Sequence, residues 1–119
     1  MSKIRIKVII KNNESNYEYE TDAIINDNEL KYLEENKTKV TYNYDKNHLT
    51  RINEDLRLDY IFDNNKETKG LIKVHELNKE LPLTIKTEKI EKNKNNIRID
   101  YSIENDKFLY QIEEILWVF

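Results

Sequence analysis

The chain has 119 residues, 38% hydrophobic and 36% charged, and its 20 basic and 23 acidic side chains leave a net charge of −3. That length suits one domain over 1–119, and the interleaving of opposite charges offers no basic field for nucleic acid. The absence of cysteine removes disulfides and thiolate chemistry, and a single glycine, Gly70, cannot build a phosphate-cradling loop.

The apolar residues are mostly Ile, Leu, Val and Tyr, with alanine only at Ala23, which is the composition of strands. Ile4, Ile6, Val8 and Ile10 alternate with Lys3, Arg5 and Lys7, so the first strand carries an apolar face and a basic face. The same three cations interrupt the only N-terminal apolar run, and no segment approaches a membrane span. A cytoplasmic location without membrane contact is the resulting expectation.

Residues 12–16 read as a turn, followed by a strand with Tyr17, Tyr19, Thr21, Ala23 and Ile25 on one face and Glu18, Glu20 and Asp22 on the other. Asp27-Asn28 connects tightly to Leu30 and Tyr32. Further strands are predicted over 40–45, 48–53, 56–63, 71–77, 81–90, 97–104 and 107–118, giving about ten in all with Asn/Asp-rich turns between them. The segment 76–94 is the best helical candidate, but Pro82 interrupts it and Leu81, Leu83 and Ile85 alternate as in a strand. With so little glycine, Asn and Asp must supply the left-handed turn positions. The fold class expected is all-β, a small closed or nearly closed antiparallel up-and-down barrel of eight to ten strands.

Turn lengths give a register. A two-residue loop at Asn105-Asp106 pairs Ile103 with Phe108, Tyr101 with Tyr110 and Ile99 with Ile112. The apolar phase then slips, because Ile115, Trp117 and Phe119 are odd-numbered, and a bulge at Glu113-Glu114 would absorb the slip. A loop at Lys46-Asn47 pairs Tyr42 with Arg51, and a loop at Asp27-Asn28 pairs Ala23 with Tyr32 and Thr21 with Glu34. Arg51 and Glu34 are thereby placed on the apolar face.

Buried charges are costly unless paired, so two readings follow. Arg51 is either a fixed cation on a cavity floor, holding a carboxylate or phosphate between walls of Tyr32, Tyr42, Tyr101 and Tyr110, or half of an ion pair with Glu34. Catalytic and metal chemistry find little support, and no cofactor or metal is expected. His48 and His75 lack neighbouring ligands, no serine is flanked by glycine, and Glu34-Glu35 and Glu113-Glu114 point to opposite faces of a strand.

The stretch Tyr32-Leu33-Glu34-Glu35, the hairpin from Thr38-Lys39-Val40 to Leu49-Thr50-Arg51 and Asn53, Tyr60-Ile61-Phe62, and Leu83-Thr84-Ile85-Lys86-Thr87 followed by Ile97-Arg98-Ile99-Asp100-Tyr101 occur in an informative order. In this the chain resembles the YwiB-like family of small bacterial proteins, a domain of unknown function. The resemblance covers nearly the whole chain. It implies a calycin-like barrel related in shape to lipocalins and no established activity. It also implies that Arg51 and one of Glu34 or Glu35 form a charged pair. The hairpin at Asp27-Asn28 is shorter than the family pattern, and Asn53 stands where a turn glycine is expected.

The functional expectation is a non-catalytic barrel that binds a small amphipathic or anionic ligand. The alternative is a homodimer or partner-docking module acting through a sheet edge or the C-terminal segment Leu116 to Phe119. An enzyme using Arg51, Glu34 and a tyrosine ranks last.

Overall fold

A computed structural model describes residues 2–34, 37–104 and 108–118. Its strands are β1 (Ser2–Asn12), β2 (Asn16–Ile25), β3 (Glu29–Leu33), β4 (Lys39–Asn43), β5 (His48–Ile52), β6 (Leu56–Ile61), β7 (Glu67–Val74), β8 (Lys79–Lys92), β9 (Asn96–Glu104) and β10 (Phe108–Val118). Each pairs antiparallel with its neighbours in sequence, and β1 pairs with β10, so the sheet closes into a ten-stranded meander barrel. There is no helix among the described residues, hence none long and apolar enough to cross a membrane. The helical candidate at 76–94 is mostly strand β8, with Pro82 exposed opposite Leu71.

Period-two alternation builds the barrel directly. Ile6 and Val8 of β1, Tyr19 and Ala23 of β2, Leu30 and Tyr32 of β3, and Val40 and Tyr42 of β4 are buried and point inward. On the outside, the basic row of β1 meets the acidic row of β2, with Arg5 3.1 Å from Asp22, Lys3 3.5 Å from Asp22 and Lys7 3.7 Å from Glu18. Barrel diameter grows with strand number, and a ten-stranded barrel needs large side chains to fill it. Tyr42, Tyr101 and Phe62 are the largest fully buried residues, and Phe62 and Tyr101 pack with ring centroids 4.8 Å apart.

Asparagine supplies the left-handed turn positions at Asn47, Asn65 and Asn78, joined by Lys37. Gly70 serves a different purpose. It lies within β7, where an added Cβ would stand 2.7 Å from the Ile85 Cδ1 and 2.8 Å from the Asp59 carbonyl oxygen.

The Asp27-Asn28 connection gives the expected Ala23–Tyr32 pairing. The β4–β5 hairpin places Tyr42 opposite Leu49 and Val40 opposite Arg51, two residues from the expected register, so every side chain keeps its face. The β9–β10 hairpin differs by one. Asn105-Asp106 lies outside the described residues, but Gln111 stands opposite Tyr101 and Tyr110 opposite Ser102. That single step turns Tyr110 and Ile112 outward and Gln111 and Glu113 inward. Pairing then runs unbroken through Glu113-Glu114 on both edges of β10, so the expected bulge is absent there. The ladder irregularity lies instead between Thr87 and Lys89 in β8.

The two ends differ. At one, backbone bonds join the loop after β4 to the loop after β2 (Tyr44 to Asn28) and the loop after β6 to the loop after β4 (Phe62 to Asn47), and further bonds hold loop to strand (Asn65 to Thr87, Trp117 to Asn95); at the other end one such loop-to-loop bond is made, from His75 to Asp55. At the other, inner-face side chains reach solvent: Tyr17 is 43% exposed and Leu81 45%, while Leu56, Leu58 and Ile72 are half-buried.

Gly70→Ala would ordinarily strengthen a strand. Here the added methyl must displace Ile85 or the backbone at Asp59, and we expect a loss of about 1–3 kcal/mol in urea denaturation. Unchanged or increased stability would show that the β6–β7–β8 wall yields.

Candidate functional site

Arg51 extends from β5 into the barrel, with 10% of its side chain exposed. Its Nη1 and Nη2 donate to the Glu113 Oε1 and Oε2 at 2.7 and 2.8 Å, a bidentate pairing that uses the planar fork of the guanidinium. Its Nε donates to the Glu34 Oε1 at 3.2 Å. In the ring of ten strands β5 and β10 stand diametrically opposite, so the pair spans the barrel.

Phenols complete the cluster. The Tyr101 hydroxyl donates to the Glu113 Oε1 at 2.7 Å, and the Gln111 amide donates to the Tyr101 oxygen at 2.7 Å. The Tyr19 hydroxyl donates to the Glu34 Oε2 at 2.9 Å. Tyr32 is 5% exposed, and its hydroxyl is fully buried without a hydrogen-bond partner. Arg51, Glu113 and Glu34 act on it through space, and Tyr19 alone approaches it as a hydrogen-bonding neighbour, short of full bond geometry because the Tyr19 hydroxyl proton is committed to Glu34.

Burial alone would push the Glu113 carboxyl up; Arg51, with help from Tyr101 and Gln111, overcomes this and holds it below the usual carboxylate range. Burial likewise opposes the Arg51 charge, and Glu113 more than compensates, keeping the guanidinium charged. Burial, reinforced by nearby carboxylates, raises Tyr19, Tyr32 and Tyr101 well above the ordinary phenol value. Tyr60 is pushed up to about 12, chiefly by burial. Near neutral pH these groups are neutral donors, not bases. With one cation and two carboxylates, the cluster carries an excess negative charge, and it contains no activated nucleophile.

Of the residues expected to form a site, Arg51, Glu34, Tyr32 and Tyr101 come together. Tyr42 does not join them: its hydroxyl donates to the Asn47 Oδ1 at 2.8 Å near the tied end of the barrel. Tyr110 lies on the outer face, for the register reason given above. Glu35 lies outside the described residues. Sequence reasoning missed Glu113, Gln111 and Tyr19 as partners. Glu113 shares odd parity with Ile115 and Trp117, a signal that the assumed bulge cancelled. His48 bonds Asp59 at 3.2 Å, and no group of three or more potential ligands is placed to hold a metal among the described residues.

The crystal structure of the ywiB protein from Bacillus subtilis superposes on 98% of this chain and 91% of its own, with a TM-score of 0.53 and 11% sequence identity. The fold is YwiB-like. At that identity the likeness speaks for the fold alone. No family model and no curated protein matches the sequence.

Replacing Glu113 by Ala strands Arg51 and Tyr101, and we expect destabilisation of about 3–5 kcal/mol. Arg51→Met combined with Glu113→Leu and Glu34→Gln removes the charges together and should recover most of that loss in urea denaturation. A triple variant as unstable as Glu113→Ala would show that the cost lies in packing.

The acid and alkaline limits follow from the same shifts. The folded-state pKa of Glu113 is lowered, so its contribution is present above the unfolded carboxylate value and is lost as pH falls through the folded one, that is, below about pH 4. The buried tyrosines have raised values, so their contribution is full below about pH 10 and falls as pH rises beyond it. Phenolate absorbance of the buried tyrosines should therefore appear together with loss of near-ultraviolet circular dichroism. Their titration in a still-folded barrel would contradict this.

Proposed function

We propose that the protein is a non-catalytic barrel that takes up a small amphipathic molecule, with the molecule's polar end at the Arg51–Glu34–Tyr32 cluster and its apolar part toward the end where Leu81 and Tyr17 reach solvent. The observation that carries this reading is the buried Tyr32 hydroxyl, which lacks a partner while lying beside three charged groups. An orphaned buried hydroxyl costs about 1–3 kcal/mol, and a ligand that bonds it recovers that energy. Half-buried Leu56, Leu58 and Ile72 offer apolar lining.

The chemistry of the polar end follows from the charge balance. Arg51 already faces two carboxylates, so an anion would have to compete with Glu34 or Glu113 for the guanidinium. A hydrogen-bond donor or ammonium finds acceptors in Glu34 and the Tyr32 oxygen and offsets the excess negative charge. The partner-docking alternative draws no support from the C-terminal strand: both edges of β10 are paired, and Trp117 packs against the core.

Amide NMR titration with octylamine, octanol and octanoate tests the reading. Octylamine should shift the amides of Tyr32, Glu34 and Arg51 saturably, and Glu34→Gln should weaken it about tenfold. If no probe perturbs these residues, the cluster is a structural ion pair. Octanoate binding there that tightens when Glu34→Gln frees the Arg51 Nε would make Arg51 an anion anchor instead.

A further inference from the structure

The β2–β3 ladder is the shortest in the barrel: only Ala23–Tyr32, Ile24–Lys31 and Ile25–Leu30 are paired, although β2 has ten residues and pairs with β1 along its full length. That ladder stops where β3 ends, and beside it lies a groove of about 800 Å³ lined mainly by outward-facing residues of β1 to β4. Ala23, Tyr32 and Val40, whose side chains are buried toward the barrel interior, also contribute to its wall. Ile24 and Leu33 lie along it, 43% and 51% exposed.

The charges around this groove differ from those of the whole chain. Lys3, Arg5, Lys31 and Lys39 line it against Glu20 and Asp22, a local excess of two positive charges in a protein of net charge −3. Lys3 and Arg5 share the single carboxylate of Asp22. Lys31 and Lys39 are both exposed and have no ionic partner among the described residues. Leu33 stands directly opposite Lys39 and Ile24 directly opposite Lys31, so each exposed apolar residue has an ammonium beside it across the ladder.

We infer that this groove is a second binding site, separate from the interior cluster, for a small amphipathic anion: a carboxylate or similar head between Lys31 and Lys39, with an alkyl body along Ile24 and Leu33. Its volume falls within the range of small-molecule sites. An extended acidic peptide suits it less well. Added along the open edge of β2, such a strand would set its carboxylates against the Glu18–Glu20–Asp22 row.

Octanoate is the probe, followed by amide NMR on the intact protein. Saturable shifts are expected at Ile24, Lys31, Leu33 and Lys39, with affinity falling as salt rises. The double substitution K31E/K39E alters two exposed side chains and should leave the remaining amide spectrum in place while weakening octanoate about tenfold. Glu34→Gln should leave octanoate in this groove unaffected, which separates failure of this site from failure of the interior one. Absence of binding, or binding indifferent to K31E/K39E, overturns the inference. So does co-sedimentation with anionic phospholipid vesicles in the absence of any response to monomeric octanoate, which would mark a membrane-facing surface.

Discussion

The barrel is organised around one interaction, the bidentate contact of Arg51 with Glu113 across its full width. Ten strands enclose more cross-section than aliphatic side chains fill, and this sequence spans it with tyrosines and a charged strut. The strut is tolerable because its lone pairs and N–H groups are engaged, by Tyr101 and Gln111 on one side and by Glu34 with Tyr19 on the other. Hydrophobic residues of similar volume could supply comparable stability. What the charged version adds is geometry: a guanidinium held by three bonds fixes where the surrounding phenols point.

That fixation leaves one group out. Tyr32 sits in the middle of the cluster with no hydrogen bond of full geometry, while Tyr19 and Tyr101 each donate to a carboxylate. The end of the barrel where backbone bonds link the loops after β2, β4 and β6 is better closed than the end where inner-face side chains meet water. Polar need and solvent access therefore fall in the same half of the molecule. The wall groove at the β2–β3 junction has the opposite electrostatic sign from the interior cluster.

Much of this was legible before the structure, because facing depends on parity and parity survives even-numbered errors in register. The β4–β5 hairpin differs from its expected pairing by two residues, yet Arg51 still points inward. At β9–β10 the difference is one residue, which exchanges Tyr110 for Gln111 and brings in Glu113. Loop length cannot be read from Asn and Asp content alone, since both residues suit turns of several lengths. The odd-numbered apolar series Ile115 and Trp117 held the correct answer for β10, and extending it backwards reaches Glu113. That Glu34 would meet Arg51 was visible; that Arg51 would reach a second carboxylate 62 residues away depended on closure of the ring.

Closure also bears on how the chain reaches this state. The first and last strands are neighbours, so the ladder between them carries the largest sequence separation and the greatest closure entropy of any in the barrel. In a sheet not yet closed, Arg51 lies on the central strand β5 and Glu113 on the edge strand β10, both open to water, and the cost of removing that water is met together with the Coulombic gain as the ring closes. An incompletely wound chain thus keeps its charges in water, and the same event that seals the backbone ring dries the interior.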